Sequence, residues 1–86
     1  MRNLEKNLKV LANRRRLAIL KYLKRNKEAP VAEIAHEINL SFKATSKHLC
    51  ILAAVDIIKK DQRNLQMFYR LSTSQNPVVK HIFSLL

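Results

Sequence analysis

The chain has 86 residues and no glycine. Left-handed backbone closes helices and tight hairpins, and outside glycine it is tolerated best by Asn and Asp. The turns of this chain must therefore fall where such residues stand. Asn39, just past the last apolar residue of a helical pattern, and Asn64, between two stretches of alternating hydrophobicity, are the local candidates. The same absence leaves no Gly-rich loop to cradle a phosphate.

Between these punctuation points the periodicity predicts helices first. Leu4, Leu8 and Leu11 recur at i, i+4, i+7 and define a helix over about 3–12. Asn13 caps a second helix over about 14–25, with Leu17, Ile19, Leu20 and Leu23 inward and Tyr22 at the margin. Pro30 opens a short third helix over 31–38, with Ile34, Ala35 and Ile38 inward and Glu33 in its first turn. Ser41 then caps a fourth, Phe42 to about Ala54, whose Thr45, Leu49 and Leu52 share one stripe. Two helices joined by Asn39-Leu40-Ser41 at this spacing are the layout of a helix-turn-helix.

The period then changes to two. Residues 57–60 predict a strand, 61–64 a turn and 65–71 the return strand, with Leu65, Met67, Tyr69 and Leu71 on one face. A hairpin directly after the fourth helix is a wing. Asn76 as N-cap and Pro77 at the first helical position open a last helix rich in apolar residues, which must pack on something. The expected architecture is mainly α with a small β-hairpin, a winged helix-turn-helix in the order α-α-α-α-β-β-α, in one domain spanning 1–86.

Charge narrows the partner. Seventeen Lys and Arg stand against six Asp and Glu, a net +11, while 48% of residues are hydrophobic. A basic chain with that apolar fraction folds, and its usual counterpart is nucleic acid. Residues 1–27 and 42–70 carry all the cations but Lys80; Glu28, Glu33 and Glu37 sit between them without a Lys or Arg. Cys50, the only cysteine, excludes a disulfide scaffold and a four-cysteine zinc site, and suits a reducing cytoplasm. The charged start and the lack of a long apolar run predict neither a signal peptide nor a membrane span.

The candidate site is the fourth helix. Lys43, Ser46, Lys47 and Cys50 fall at i, i+3, i+4, i+7, opposite the apolar stripe. Lysine donates to guanine or phosphate, serine serves either, and Phe42 contacts a thymine methyl or seals the helix end. Ser41, with the first free amides of that helix, is both cap and phosphate site. On the hairpin, Lys60 and Arg63 reach a phosphate or the minor groove, with Arg63 at the tip. Arg14, Arg15 and Arg16 point in different directions, so one, taken as Arg14, meets a phosphate while another caps or pairs locally. The three histidines and Cys50 show no chelating spacing, and no catalytic constellation is present, so neither metal, cofactor nor enzymatic activity is expected.

The chain resembles the arsenic-repressor (ArsR) type of winged-helix transcriptional regulator. The resemblance rests on Leu11-Ala12-Asn13-Arg14-Arg15-Arg16-Leu17-Ala18-Ile19-Leu20, Ala32-Glu33-Ile34-Ala35, Leu40-Ser41 through Ser46-Lys47-His48-Leu49 to Ile51-Leu52, and Phe68-Tyr69-Arg70-Leu71. It implies a repressor that binds an imperfect palindrome of double-stranded DNA as a homodimer. Its first and last helices, near 3–12 and 76–86, would form the interface, with Leu4, Leu8, Leu11, Val79, Ile82 and Phe83 in it. Phe42, Ser46 and Lys47 inherit the family's recognition-helix roles. Where the family usually has glycine, this chain has Asn39, Asp56 and Asn64; where many relatives have a metal-binding Cys-x-Cys, it has Pro30-Val31-Ala32-Glu33. A winged-helix protein adaptor and a structured-RNA binder are the alternatives.

Overall fold

A computed structural model describes residues 2–73 and 77–86, so the cap expected at Asn76 lies outside the described residues. The elements are α1 (Arg2–Leu11), α2 (Arg14–Asn26), β1 (Glu28–Pro30), α3 (Val31–Glu37), α4 (Phe42–Ala54), β2 (Ile58–Arg63), β3 (Gln66–Leu71) and α5 (Pro77–Ser84). The expected order holds with one strand added. Three strands form an antiparallel sheet in the order β1-β3-β2, in which Ala29 pairs with Tyr69 and Lys60 pairs with Tyr69 from the other side. No described helix is long and apolar enough to cross a membrane.

Local chemistry explains most boundaries. The Asn13 side chain accepts a hydrogen bond from the Arg16 amide at 3.0 Å, and the Ser41 hydroxyl accepts one from the Ala44 amide at 3.1 Å. These are the N-caps of α2 and α4. Asn39 (φ 56°) and Asp56 (φ 60°) close α3 and α4 in left-handed backbone. Each closure carries the paired bonds of a Schellman turn: Leu40 N–H to Ala35 C=O with Asn39 N–H to His36 C=O, and Ile57 N–H to Leu52 C=O with Asp56 N–H to Ala53 C=O. Without glycine, Asn and Asp take its place.

The hairpin departs from expectation. β2 continues through Asp61, Gln62 and Arg63, which pair with Phe68, Met67 and Gln66. The turn is therefore Asn64-Leu65, with φ 56° at Asn64, the first central position, where two-residue hairpin turns need positive φ. Leu65 is not in the return strand: it lies at the tip and is 99% exposed. Polar residues at 61–63 suit a strand here because that end of the hairpin is solvated.

The core lies where α2, α3 and α4 meet the sheet. Ile19, Leu20, Leu23, Ile34, Leu49, Leu52, Ile57, Ile58 and Val79 are its largest fully buried apolar side chains. Val79 sends α5 into the same cluster, so the last helix packs first on its own chain.

Candidate nucleic-acid interface

The helix-turn-helix is α3, the Asn39-Leu40-Ser41 turn and α4. Thr45, Leu49 and Leu52 are buried, and this fixes which side of α4 faces out. On that outer side Lys43, Lys47 and Cys50 are exposed and Ser46 is half-buried. Phe42, at the start of the helix, is exposed and does not seal it. Ser41 is exposed as well as capping, so its hydroxyl is committed to Ala44 while the helix start stays open to solvent. Thr45 is an exception within the stripe: its Oγ1 is buried and has no hydrogen-bond partner among the described residues.

The wing presents its cations unequally. Lys60 is exposed. Lys59 bonds Asp56 at 3.0 Å. Arg63 is the last residue of β2 rather than part of the tip, and its guanidinium is occupied. It makes two bonds to the Glu28 carboxylate, one of them 3.0 Å, bonds Asp61 at 3.1 Å and stacks over the Phe68 ring 4.7 Å from its centre. The Arg63 hydrogen bonds hold the Glu28 carboxyl below its usual range. This strap ties β1 to the hairpin. Sequence reasoning missed it because β1 was not foreseen.

The three consecutive arginines differ in exposure and pairing. Arg14 and Arg15 are exposed; Arg16 is half-buried and pairs locally. Arg16 Nε donates to the Val10 carbonyl at 2.6 Å and its Nη1 lies 3.3 Å from His48 Nδ1. Burial, then the neighbouring Arg16, Arg15 and Lys47 charges, push the His48 pKa down. Behind the site, Tyr22 donates to Glu33, which joins α2 to α3 and, as the largest cause, pushes the phenol up to about 12. Among the described residues no cluster of three His, Cys, Asp or Glu is placed to hold a metal.

The residues expected at a dimer interface divide in two. Leu11 (5% exposed) and Val79 (0%) are core residues of the single chain. Leu8 is 44% exposed, and Leu4, Ile82 and Phe83 are half-buried. The open apolar surface is a groove of about 380 Å³ between α1, the start of α2 and α5, lined by Leu8, Leu11, Leu17, Ile82, Leu85 and Leu86. Leu17, expected inward from periodicity, is half-buried and lines this groove with Ile82 of α5.

The chain is similar to several solved structures. Reduced HlyU from Vibrio cholerae is 33% identical, with 98% of this chain and 84% of that one covered and a TM-score of 0.83. The transcriptional repressor PagR of Bacillus anthracis is 29% identical over 95% of this chain and 93% of its own, with a TM-score of 0.77. A homodimeric winged helix-turn-helix DNA-binding domain from Mycobacterium bovis, a possible ArsR-family regulator, is 26% identical over 96% and 73%, with a TM-score of 0.82. No curated protein sequence matches significantly. A sequence model of the bacterial regulatory proteins of the arsR family matches residues 13–60, from the cap of α2 into the wing. With more than half its length in that match and 98% of it aligned with HlyU at 33% identity, the chain belongs to the arsR family of bacterial transcriptional regulators.

Proposed function

We propose that the chain is a homodimeric repressor that reads a palindromic site in double-stranded DNA through α4. The observation that carries this reading is the two-sided character of that helix. Its stripe of Thr45, Leu49 and Leu52 is buried, which leaves Lys43, Ser46 and Lys47 together on the open side, beside an exposed Phe42. Base edges in the major groove offer acceptors to the lysines and the serine, and thymine methyls to the phenylalanine. Phosphates flanking the groove fall to the Ser41 end of the helix, to Lys60 on the wing and to Arg14. Arg63 contributes only when DNA draws it away from Glu28.

The apolar groove supports the dimer. A folded chain of this size gains from covering such a surface, and α1, α5 and the residues after it in a second copy, through Leu8, Ile82 and Leu85, supply matching apolar residues. The homodimeric state of the M. bovis neighbour supports the same assembly. Two α4 helices related by a two-fold axis would meet half-sites about 34–36 Å apart, or a multiple of that.

Selection of bound sequences from random duplex DNA by the purified chain tests the proposal. An inverted repeat is the expected outcome. Enrichment of folded RNA over duplex in direct competition, or a selection that yields no consensus, would overturn it.

A further inference from the structure

Arg16 joins three helices with one side chain. Its backbone is anchored at the start of α2 by the Asn13 cap. Its Nε meets the Val10 carbonyl at 2.6 Å, in the last turn of α1, where helix carbonyls lack partners of their own. Its Nη1 meets His48 Nδ1 at 3.3 Å on α4, thirty-two residues away in sequence. His48 stands next to Lys47 on the flank of the exposed face.

The chemistry of this contact is directional. A guanidinium has donors only, so His48 Nδ1 must accept, and the imidazole must be neutral with its proton on Nε2. The charges acting on His48 are all positive, from Arg16 and Arg15 on α2 and Lys47 on α4 itself, which favours the neutral ring. The planar fork holds its acceptors at fixed relative directions, which a flexible ammonium does not.

We propose that Arg16 is a positioning residue that sets the angle between α1 and the recognition helix by linking the Val10 carbonyl to the His48 imidazole. The inference rests on the DNA-reading function proposed above. In a dimer held together through α1, this link determines how each α4 is aimed at its half-site. Its loss misaims the helix without removing any group that touches a base. Specific binding therefore falls, while non-specific attraction to phosphate, which depends on charge, is kept.

The test compares Arg16→Lys and Arg16→Gln with the unaltered full chain on two duplexes, the sequence selected by the unaltered protein and a scrambled one of equal length. Arg16→Lys keeps the charge but replaces the rigid fork, whose separate nitrogens meet the two acceptors, with one ammonium nitrogen on a flexible stem. It is expected to lose about tenfold in the ratio of selected to scrambled affinity, within the range carried by one base pair. Its affinity for scrambled DNA stays within about twofold of the original, because the charge is unchanged. Nitrogen-15 spectra of the imidazole in the unaltered protein, which depend on no variant folding, should show the Nε2–H tautomer at His48. Arg16→Gln should move the His48 pKa up towards the ordinary value. An undiminished ratio in a folded Arg16→Lys protein, or an Nδ1–H tautomer in the unaltered one, overturns the inference alone. Failure of the unaltered protein to distinguish the two duplexes overturns the DNA-reading function and this inference together.

Discussion

Replacing Lys27 by glycine should stabilise the protein. Lys27 ends α2 with φ 67° and ψ −51°, the positive-φ γ-turn region that is strained for any residue with a Cβ. Unlike Asn39, Asp56 and Asn64, it has no short polar side chain to ease that conformation. Its backbone turns the chain from α2 into β1, which brings Glu28 beside Arg63 of the wing. Strain of this kind costs about 1–3 kcal/mol. Glycine removes it, but loses about 0.5–1 kcal/mol more conformational entropy on folding. Because the Lys27 side chain is exposed, no packing is lost. The net gain is about 1 kcal/mol, which for a domain of this size raises the melting temperature by about 4–8 °C. Thermal unfolding followed by far-UV circular dichroism, at one protein concentration, reads the shift. Lys27→Ala removes the charge but keeps the Cβ and should gain nothing. Lys24→Gly, at an exposed position inside α2, should lose about 1 kcal/mol. A lower melting temperature for Lys27→Gly than for Lys27→Ala would refute the strain argument.

Other consequences can be measured on the same material. Ser41→Ala removes the cap bond to Ala44 and should cost about 1 kcal/mol in urea unfolding, with Ser41→Asn recovering most of it; equal stability of all three would mean the cap contributes nothing. Thr45→Val deletes a buried hydroxyl without a partner and should leave stability unchanged or raise it by about 1 kcal/mol; a clear loss would reveal an unseen partner. Tyr22 should ionise near pH 12 in an ultraviolet absorbance titration. Because its folded pKa is raised, its contribution to stability is complete below about pH 10 and is lost as pH rises through about 12; Glu33→Gln should bring the titration down. Leu8→Glu places a charge in the apolar groove and should shift a sedimentation profile from dimer to monomer while the fold persists; a persistent dimer would place the interface elsewhere.

Where the fold was legible in the sequence, short-range chemistry decided it. Asn13 and Ser41 are caps because hydroxyl or amide oxygens reach an amide three residues on. Asn39 and Asp56 stop helices because only left-handed backbone completes the two closing bonds. The outward face of α4 followed from the inward one, as Thr45, Leu49 and Leu52 define both. What escaped depends on distant partners. Glu28-Ala29-Pro30 is too short to declare itself a strand, and exists as one because Phe68, Tyr69 and Arg70 pair with it. Leu65 mimics a strand residue in an alternating pattern, yet the register of Arg63 with Gln66 leaves it at the tip. The apolar stripe of α1 held Leu11 and the family resemblance put Leu11 and Val79 in a dimer interface, but neither told that their own chain buries them. The Arg16–His48 contact joins residues whose separate motifs give no hint of it.

Binding of duplex DNA through the basic face of α4 is the function proposed for this chain. It is tested most directly by the affinity for a selected duplex measured across a series of salt concentrations. Affinity should fall steeply with salt, the logarithmic slope gaining about −0.9 for each phosphate neutralised. Lys43→Gln and Lys47→Gln should each weaken binding, and either lysine that meets a phosphate should make the slope shallower by about 1. Affinity that is unchanged between dilute and moderate salt, or indifferent to both substitutions, would contradict it.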